Sequence, residues 1–379
     1  MPQIFDAIII GAGAMGSAAA YHLSKAGQRV LLLEQFAINH QKGSSYGSSR
    51  IIRYIYNHPT YIELAKAAYP GWLALEAEAG ETLYTKTGGF FFGLPENKIL
   101  PEYIKCTQSA NIPYEFLSAQ ELCARYPQFC LSQDMLVYYQ QEIGFLAASK
   151  CVLAHIHLAK QHGAIVKEDT PVVRVTVNAY DVEITTQTDS YIANKLIITA
   201  GSWAQSVLSP LGINLPLVTM RAQYSCFEPD RISAYEVGNF PIFIGFLHEF
   251  FGDIIYGFPY NHDVGVKVNF NEGQPVNHVS EVNYTPDQHI VQLLRDFNSQ
   301  YLPDLDIVPK SSRVCLYTMT PDRHFIIDRH PEYPQIVFAA GFSGHGFKFG
   351  NVVGKILCDL TLEDKTEHDI SLFSAFRFG

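Results

Sequence analysis

Phe5-Asp6-Ala7-Ile8-Ile9-Ile10 runs straight into Gly11-Ala12-Gly13-Ala14-Met15-Gly16, and this junction decides the fold. The apolar run is short and nearly unbroken, the pattern of a parallel strand buried on both faces. Ser17 to Ala26 then reads as a helix, Gly27 stops it, and Arg29-Val30-Leu31-Leu32-Leu33 reads as a second strand ending at Glu34. Gly11 permits the tight turn, Gly13 lets the backbone approach a pyrophosphate, and Gly16 lets the helix lie close on the strand. The first turn of the helix offers amides and the positive end of its dipole. Glu34 stands at the spacing where an acid accepts hydrogen bonds from ribose hydroxyls. The glycines alone are a weak signal. Strand, turn, helix, strand and acid in this order predict a dinucleotide-binding βαβ unit.

NAD and FAD both suit such a unit, and the next segment favours FAD. It is a polar loop, Gln41 to Ser49, that contains Gly43, Ser44 and Ser45 and leads into Arg50-Ile51-Ile52-Arg53. With little to bury, that loop has amides and hydroxyls available to wrap an extended cofactor.

Beyond this unit, no repeat, low-complexity linker or charge block divides the chain, and its 379 residues suit two domains. Gly88 to Gly93, Pro171 to Val177, Val182 to Thr186, Lys195 to Gly201 and Ile336 to Gly341 read as strands, and Ser149 to Gly163 as a helix. Tyr256-Gly257-Phe258-Pro259 and Val264 to Val268 suit a hairpin. The expected fold is α/β. A Rossmann-like FAD-binding domain is assembled from residues 1–85, 146–220 and 318–379. Residues 86–145 and 221–317 form an α+β substrate domain with a largely antiparallel sheet, and the pocket is expected in the cleft between the two.

Composition excludes several classes. A net charge of −10 without a basic tract argues against a nucleic-acid partner, although a few local Arg and Lys suffice to make one cleft attractive to an anion. Seven cysteines, an odd number with no C-x-x-C pair, predict neither structural zinc nor a disulfide framework, so no metal is expected. No apolar run reaches the roughly 18 residues of a membrane span, and no basic-then-apolar leader precedes the first strand. The expected compartment is the reducing cytoplasm.

Two segments late in the chain carry the chemistry. They are Cys315-Leu316-Tyr317-Thr318 and Gly341-Phe342-Ser343-Gly344-His345-Gly346-Phe347-Lys348-Phe349, the second just ahead of a helix-like stretch from Gly350 to Leu362. Amides before that helix suit a ring that becomes anionic, as reduced flavin does. With these segments in view, the chain resembles the D-amino-acid-oxidase-like flavoproteins, and within them the monomeric sarcosine oxidase and N-methyltryptophan oxidase group. The similarity runs through Gly11–Gly16 with Glu34, Gly43 to Arg53, Lys86-Thr87-Gly88, Tyr256 to Pro259 and the two late segments, which are the most specific.

That resemblance implies FAD joined through the sulfur of Cys315 to the flavin 8-methyl carbon. It implies a substrate carboxylate held by Arg53 and Lys348, Arg50 beside the flavin face, and Lys267 as the cation that assists oxygen reduction. Tyr256, Tyr317 and His345 would surround the reacting carbon, with Gly344, Gly346, Phe347 and Lys348 against the cofactor. Read without the resemblance, Cys315 is an ordinary buried thiol, Arg50 and Arg53 a solvated helix face, and Lys267 a solvent-facing strand residue.

The implied activity is oxidation of a small secondary amino acid, an N-methyl amino acid such as sarcosine, by a monomer. Hydride passes to flavin N5, the imine product hydrolyses, and O2 is reduced to H2O2. N-methyltryptophan, proline and pipecolate are alternative substrates. The competing readings are an FAD dehydrogenase of a D-amino or 2-hydroxy acid and a non-catalytic dinucleotide-binding sensor. Asn271 and Ser49 depart from a histidine and a threonine of the group, and Ile242 to Ile255 is longer than its counterpart. All three bear on which amine fits.

Overall fold

The unbroken apolar runs of the sequence pair with one another. In the computed structural model, which describes residues 3–378 (residues 3, 306 and 307 by backbone only), Ile336–Ala340 lies beside Ser190–Ile198, followed by Gln3–Ile10, Val30–Leu33 and Ile165–Lys167. Each of these neighbours is parallel. Both faces of the sheet are covered, which is why the strands show no alternation. Ile8, Ile10, Leu31 and Phe338 pack into one core. Ile9, Leu32 and Val337 pack into another, beneath helices Ala14–Lys25, Ala148–Gln161 and Gly350–Glu363.

A second sheet has eight strands, in the order Leu305–Met319, Val218–Pro229, Gly265–Val276, Ile254–Asn261, Ile242–Phe246, Gly89–Gly93, Leu136–Gln140, Glu115–Ser118. Its neighbours are antiparallel except Ile242–Phe246 with Gly89–Gly93. Helix Gln288–Tyr301 seals one face over Phe243 and Phe270, and helix Ile99–Ser109 seals the other over Phe91 and Phe246. A third, small sheet of Arg50–Ile52, Gly144–Leu146 and Tyr84–Lys86 brings Arg50 to the site. The α/β architecture is the one expected.

Three local readings change. Ser190–Ile198 begins five residues before the expected Lys195, because Ser190 to Ala193 pair antiparallel with Val182–Thr186. Backbone pairing recruits Ser190 to Ala193, which Asn194 and Lys195 separate from the apolar run that marks the rest of the strand. Gly265–Val276 likewise continues past Val268: Val266 to Asn269 and Gly273 to Val276 pair with Val218–Pro229, with a register shift between the two runs. Arg50 belongs to a strand, not to a solvated helix face, and a single tight turn, Phe347–Phe349, separates the glycine-rich loop from the last helix.

Candidate active site

The glycine-turn end of the site is built by the first strand and the helix behind it. A Cβ on Gly16 would lie 1.8 Å from the Gly11 carbonyl oxygen and 2.5 Å from Oγ1 of Thr199, so only glycine allows this approach. Gly13 offers the helix no side-chain cap, and Ser45 Oγ accepts the Ala14 N–H at 3.0 Å. Ser44, which lines the same cavity, donates to the Leu316 carbonyl at 2.5 Å and ties the polar loop to the strand that carries Cys315. Glu34 is buried. It accepts the N–H of Ala12 at 2.9 Å and of Phe36 at 3.1 Å, which fixes both carboxylate oxygens and leaves each with acceptor capacity.

One cavity of about 540 Å³ continues from Gly11, Gly13 and Glu34 to Tyr256, Lys267 and Lys348. Arg50, Arg53, Lys267 and Lys348 all line it. The acidic wall residues are otherwise engaged: Asp322 pairs with Arg377 at 2.7 Å, and Glu34 belongs to the opposite end. An acidic chain thus encloses a basic pocket, as local charge allows.

Arg53 and Lys348 come from opposite ends of the sequence and meet at Tyr56, a residue the sequence reading missed. The Arg53 guanidinium lies 4.4 Å from the Tyr56 ring centroid and 5.1 Å from that of Phe91, and it donates to the Ile55 carbonyl. Lys348 is buried and donates to the Tyr56 hydroxyl at 2.9 Å and to the His345 carbonyl at 2.7 Å. Burial, and then the charge of Arg53, pushes the Lys348 pKa well below the usual lysine range. His345 faces Tyr56 Oη through Nδ1 at 3.4 Å and the Arg323 carbonyl through Nε2 at 3.0 Å. Burial and the neighbouring Lys348 hold His345 neutral, far below its ordinary pKa.

Lys267 is also buried, contrary to its solvent-facing look in the sequence. Its ammonium donates to the Ser49 carbonyl at 3.3 Å and sits over the rings of Tyr224 and Phe258. Burial, and then Arg50, lowers its pKa to about 7. Arg50 donates to the carbonyls of Ser44, Tyr46 and Ser49, each at 2.8 Å, so it also staples the polar loop. The half-buried Cys315 thiol is not part of the cavity wall, but it shares a strand face with Tyr317, which is. Burial raises the Cys315 pKa, and the nearby charges of Arg50 and Lys267 oppose that rise.

Tyr256 and Tyr317 hydroxyls lie 3.1 Å apart. Asn269, a second residue the sequence reading missed, directs its Nδ2 at Tyr256 Oη (2.8 Å) and Tyr317 Oη (3.4 Å), while its Oδ1 is buried without a partner. With both oxygens accepting from Asn269, one hydroxyl donates to the other and the second keeps its hydrogen for a ligand. Asn271 lines the cavity too.

Residues 6–360 match the family described as FAD dependent oxidoreductase. The chain belongs to this family. It is 37% identical over 383 aligned positions to monomeric sarcosine oxidase of Bacillus sp. (strain B-0618), an alignment covering 100% of this chain and 97% of that one. Identity to the peroxisomal sarcosine oxidase of Homo sapiens is 38%, covering 99% and 97% of the two chains. The N-methyl-L-tryptophan oxidase of Yersinia pestis (strain Pestoides F) is 29% identical, covering 99% of each. Among solved structures, a mutant of NikD, an unusual amino acid oxidase essential for nikkomycin biosynthesis, superimposes with a TM-score of 0.88 at 25% identity, covering 98% of this chain and 97% of that one.

The residues of this FAD dependent oxidoreductase fit its cofactor. The close-packed glycine turn, the buried Glu34 at the end of the second strand, and the Ser45-capped helix start open on one continuous cavity that reaches the second sheet. Among the described residues no group of three His, Cys, Asp or Glu side chains suits a metal ion, and no helix is long and apolar enough to cross a membrane.

Proposed function

We propose that this oxidoreductase oxidises a secondary, N-methyl amino acid of the sarcosine type, with O2 as electron acceptor. The observation that carries this reading is the meeting of Arg53 and Lys348 around Tyr56, within reach of the same cavity as the Tyr256–Tyr317 pair. Two cations converging on one basic pocket suit a carboxylate, and Arg53 adds a planar fork for orientation. The sarcosine and N-methyl-L-tryptophan oxidases among the relatives support the same substrate class. Bound FAD supplies the redox chemistry, taking two electrons from the substrate and delivering them to oxygen.

The protein's part is positioning and charge. Basic surroundings favour the free-amine, net-anionic form of the substrate, whose lone pair assists oxidation at the adjacent carbon. Lys267 places an amine, whose protonated form is favoured as negative charge appears, where that charge develops on oxygen. Arg50 adds fixed charge and holds the loop bearing Ser44 and Ser45. Gly344, Gly346 and Phe347 would pack on the cofactor, and Cys315 would bind it covalently through sulfur. We further propose a cytoplasmic monomer divided into residues 1–85, 146–220 and 318–379 for the cofactor and residues 86–145 and 221–317 for the substrate.

A larger apolar substrate is the second reading, favoured by Tyr103, Ile244, Phe246 and Ile254 in the cavity wall. A panel of sarcosine, larger N-methyl amino acids, proline, pipecolate and D-amino acids, assayed for peroxide, separates the two. Turnover of D-amino acids alone would overturn both.

A further inference from the structure

We propose that Tyr56 is the positioning residue of the anion clamp: its ring holds Arg53, and its hydroxyl aims Lys348 at the same ligand. The inference rests on the carboxylate-binding reading above and adds the device that assembles it. Arg53 follows the small-sheet strand Arg50–Ile52, and Lys348 stands on the turn before the last helix, so nothing in their local structure brings them together. Tyr56 touches both. Its ring faces the guanidinium at 4.4 Å, and its hydroxyl accepts from Lys348 Nζ at 2.9 Å.

The direction of these bonds follows from donor chemistry. His345 Nε2 lies 3.0 Å from the Arg323 carbonyl, which only accepts, so Nε2 carries the hydrogen. In the neutral ring Nδ1 is then an acceptor, and the Tyr56 hydroxyl 3.4 Å away donates to it. The Tyr56 oxygen therefore turns its lone pairs to Lys348. In its protonated form, which an anion in the cavity favours, Lys348 Nζ has three hydrogens, of which the Tyr56 hydroxyl and the His345 carbonyl take two, leaving one for that anion. Tyr56 is 2% exposed and also stacks on Tyr61, so a plain packing role is the competing account. The hydroxyl tells the two apart, because packing needs only the ring.

Tyr56→Phe keeps the ring and removes the hydroxyl. In holoenzyme titrated with methylthioacetate, an unreactive carboxylate, the dissociation constant read from flavin absorbance should rise roughly three- to tenfold, the range for one lost hydrogen bond. The uncharged methyl ester of the same compound should lose less than about twofold. In a Lys348→Ala background, adding Tyr56→Phe should have no further effect on carboxylate binding, the mark of a shared interaction. A carboxylate dissociation constant unchanged by Tyr56→Phe, or an equal loss with and without Lys348, overturns the proposal while leaving the clamp itself standing. A wild-type protein that binds no carboxylate overturns the clamp as well. The wild type provides a check that needs no variant: nitrogen-15 shifts of His345 should report Nε2–H with a bare, hydrogen-bonded Nδ1. An Nδ1–H tautomer there would break the arrangement.

Discussion

Replacing Lys267 with Met should make the protein more stable and less reactive toward oxygen, and the first effect has a calculable size. Lys267 is 4% exposed, with one hydrogen bond, to the Ser49 carbonyl at 3.3 Å, and two aromatic rings as its other partners. Burial first, then repulsion from Arg50, lowers its pKa from 10.5 to about 7, and the thiols of Cys226 and Cys315 oppose that only weakly. At about 1.36 kcal/mol per pH unit, the fall corresponds to roughly 5 kcal/mol. Between about pH 7 and 10.5 the unfolded chain holds this proton and the folded chain does not, so Lys267 makes stability rise with pH across that window. Below it both states are protonated, and the folded state carries the whole desolvation penalty. Met has a similar length and no charge. Lys267→Met should therefore stabilise by about 2–5 kcal/mol near pH 6, the lower figure allowing for relaxation around the ammonium, and by less than about 1 kcal/mol near pH 10. Urea unfolding of both proteins across that pH range, followed by circular dichroism, measures the gap. A gap that stays constant or widens as pH rises would refute the reasoning. In stopped flow, the same variant should reoxidise about a hundredfold more slowly or worse, while anaerobic reduction by substrate changes far less.

Four further outcomes are expected. Acid-precipitated wild-type protein should stay yellow, and Cys315→Ala should release its flavin to the supernatant; free flavin from the wild type would rule out the covalent bond. Arg53→Ala and Lys348→Ala should each weaken methylthioacetate binding by about ten- to a hundredfold, with Arg53→Lys only partly restoring it. Because burial depresses the Lys348 pKa, wild-type affinity for that ligand should also fall as pH rises, and titrations of the Lys348→Ala protein should show a flatter profile. Gly16→Ala, whose new Cβ would sit 1.8 Å from the Gly11 carbonyl oxygen, should yield protein with little flavin, measured by the ratio of visible to ultraviolet absorbance.

How much of this was legible in the sequence depends on how local the cause is. The cofactor turn is local: Gly11, Gly13, Gly16 and Glu34 are set by spacing, and the structure returns them in that arrangement. Lys267 is not. Val266-Lys267-Val268 looks like a solvent-facing alternation, yet this strand lies between Val218–Pro229 and Ile254–Asn261, and its outward-looking face is the cavity wall. Asn269 was within reach, since alternation puts it on the face of Lys267 and Asn271. Tyr56 was not, because nothing distinguishes it among 22 tyrosines until the turn before the last helix brings Lys348 to it. Arg50 shows the converse, a residue singled out for chemistry that also has a structural task on three loop carbonyls.

The central claim is that one cavity holds FAD and presents it with a small secondary amino acid for oxidation by O2. Mixing the purified yellow protein with sarcosine under anaerobic conditions tests it most directly. The account predicts that the visible flavin absorbance bleaches, and that admitting air restores the colour with one H2O2 formed per flavin reduced. Flavin that stays oxidised with sarcosine and with every larger N-methyl amino acid would contradict the claim.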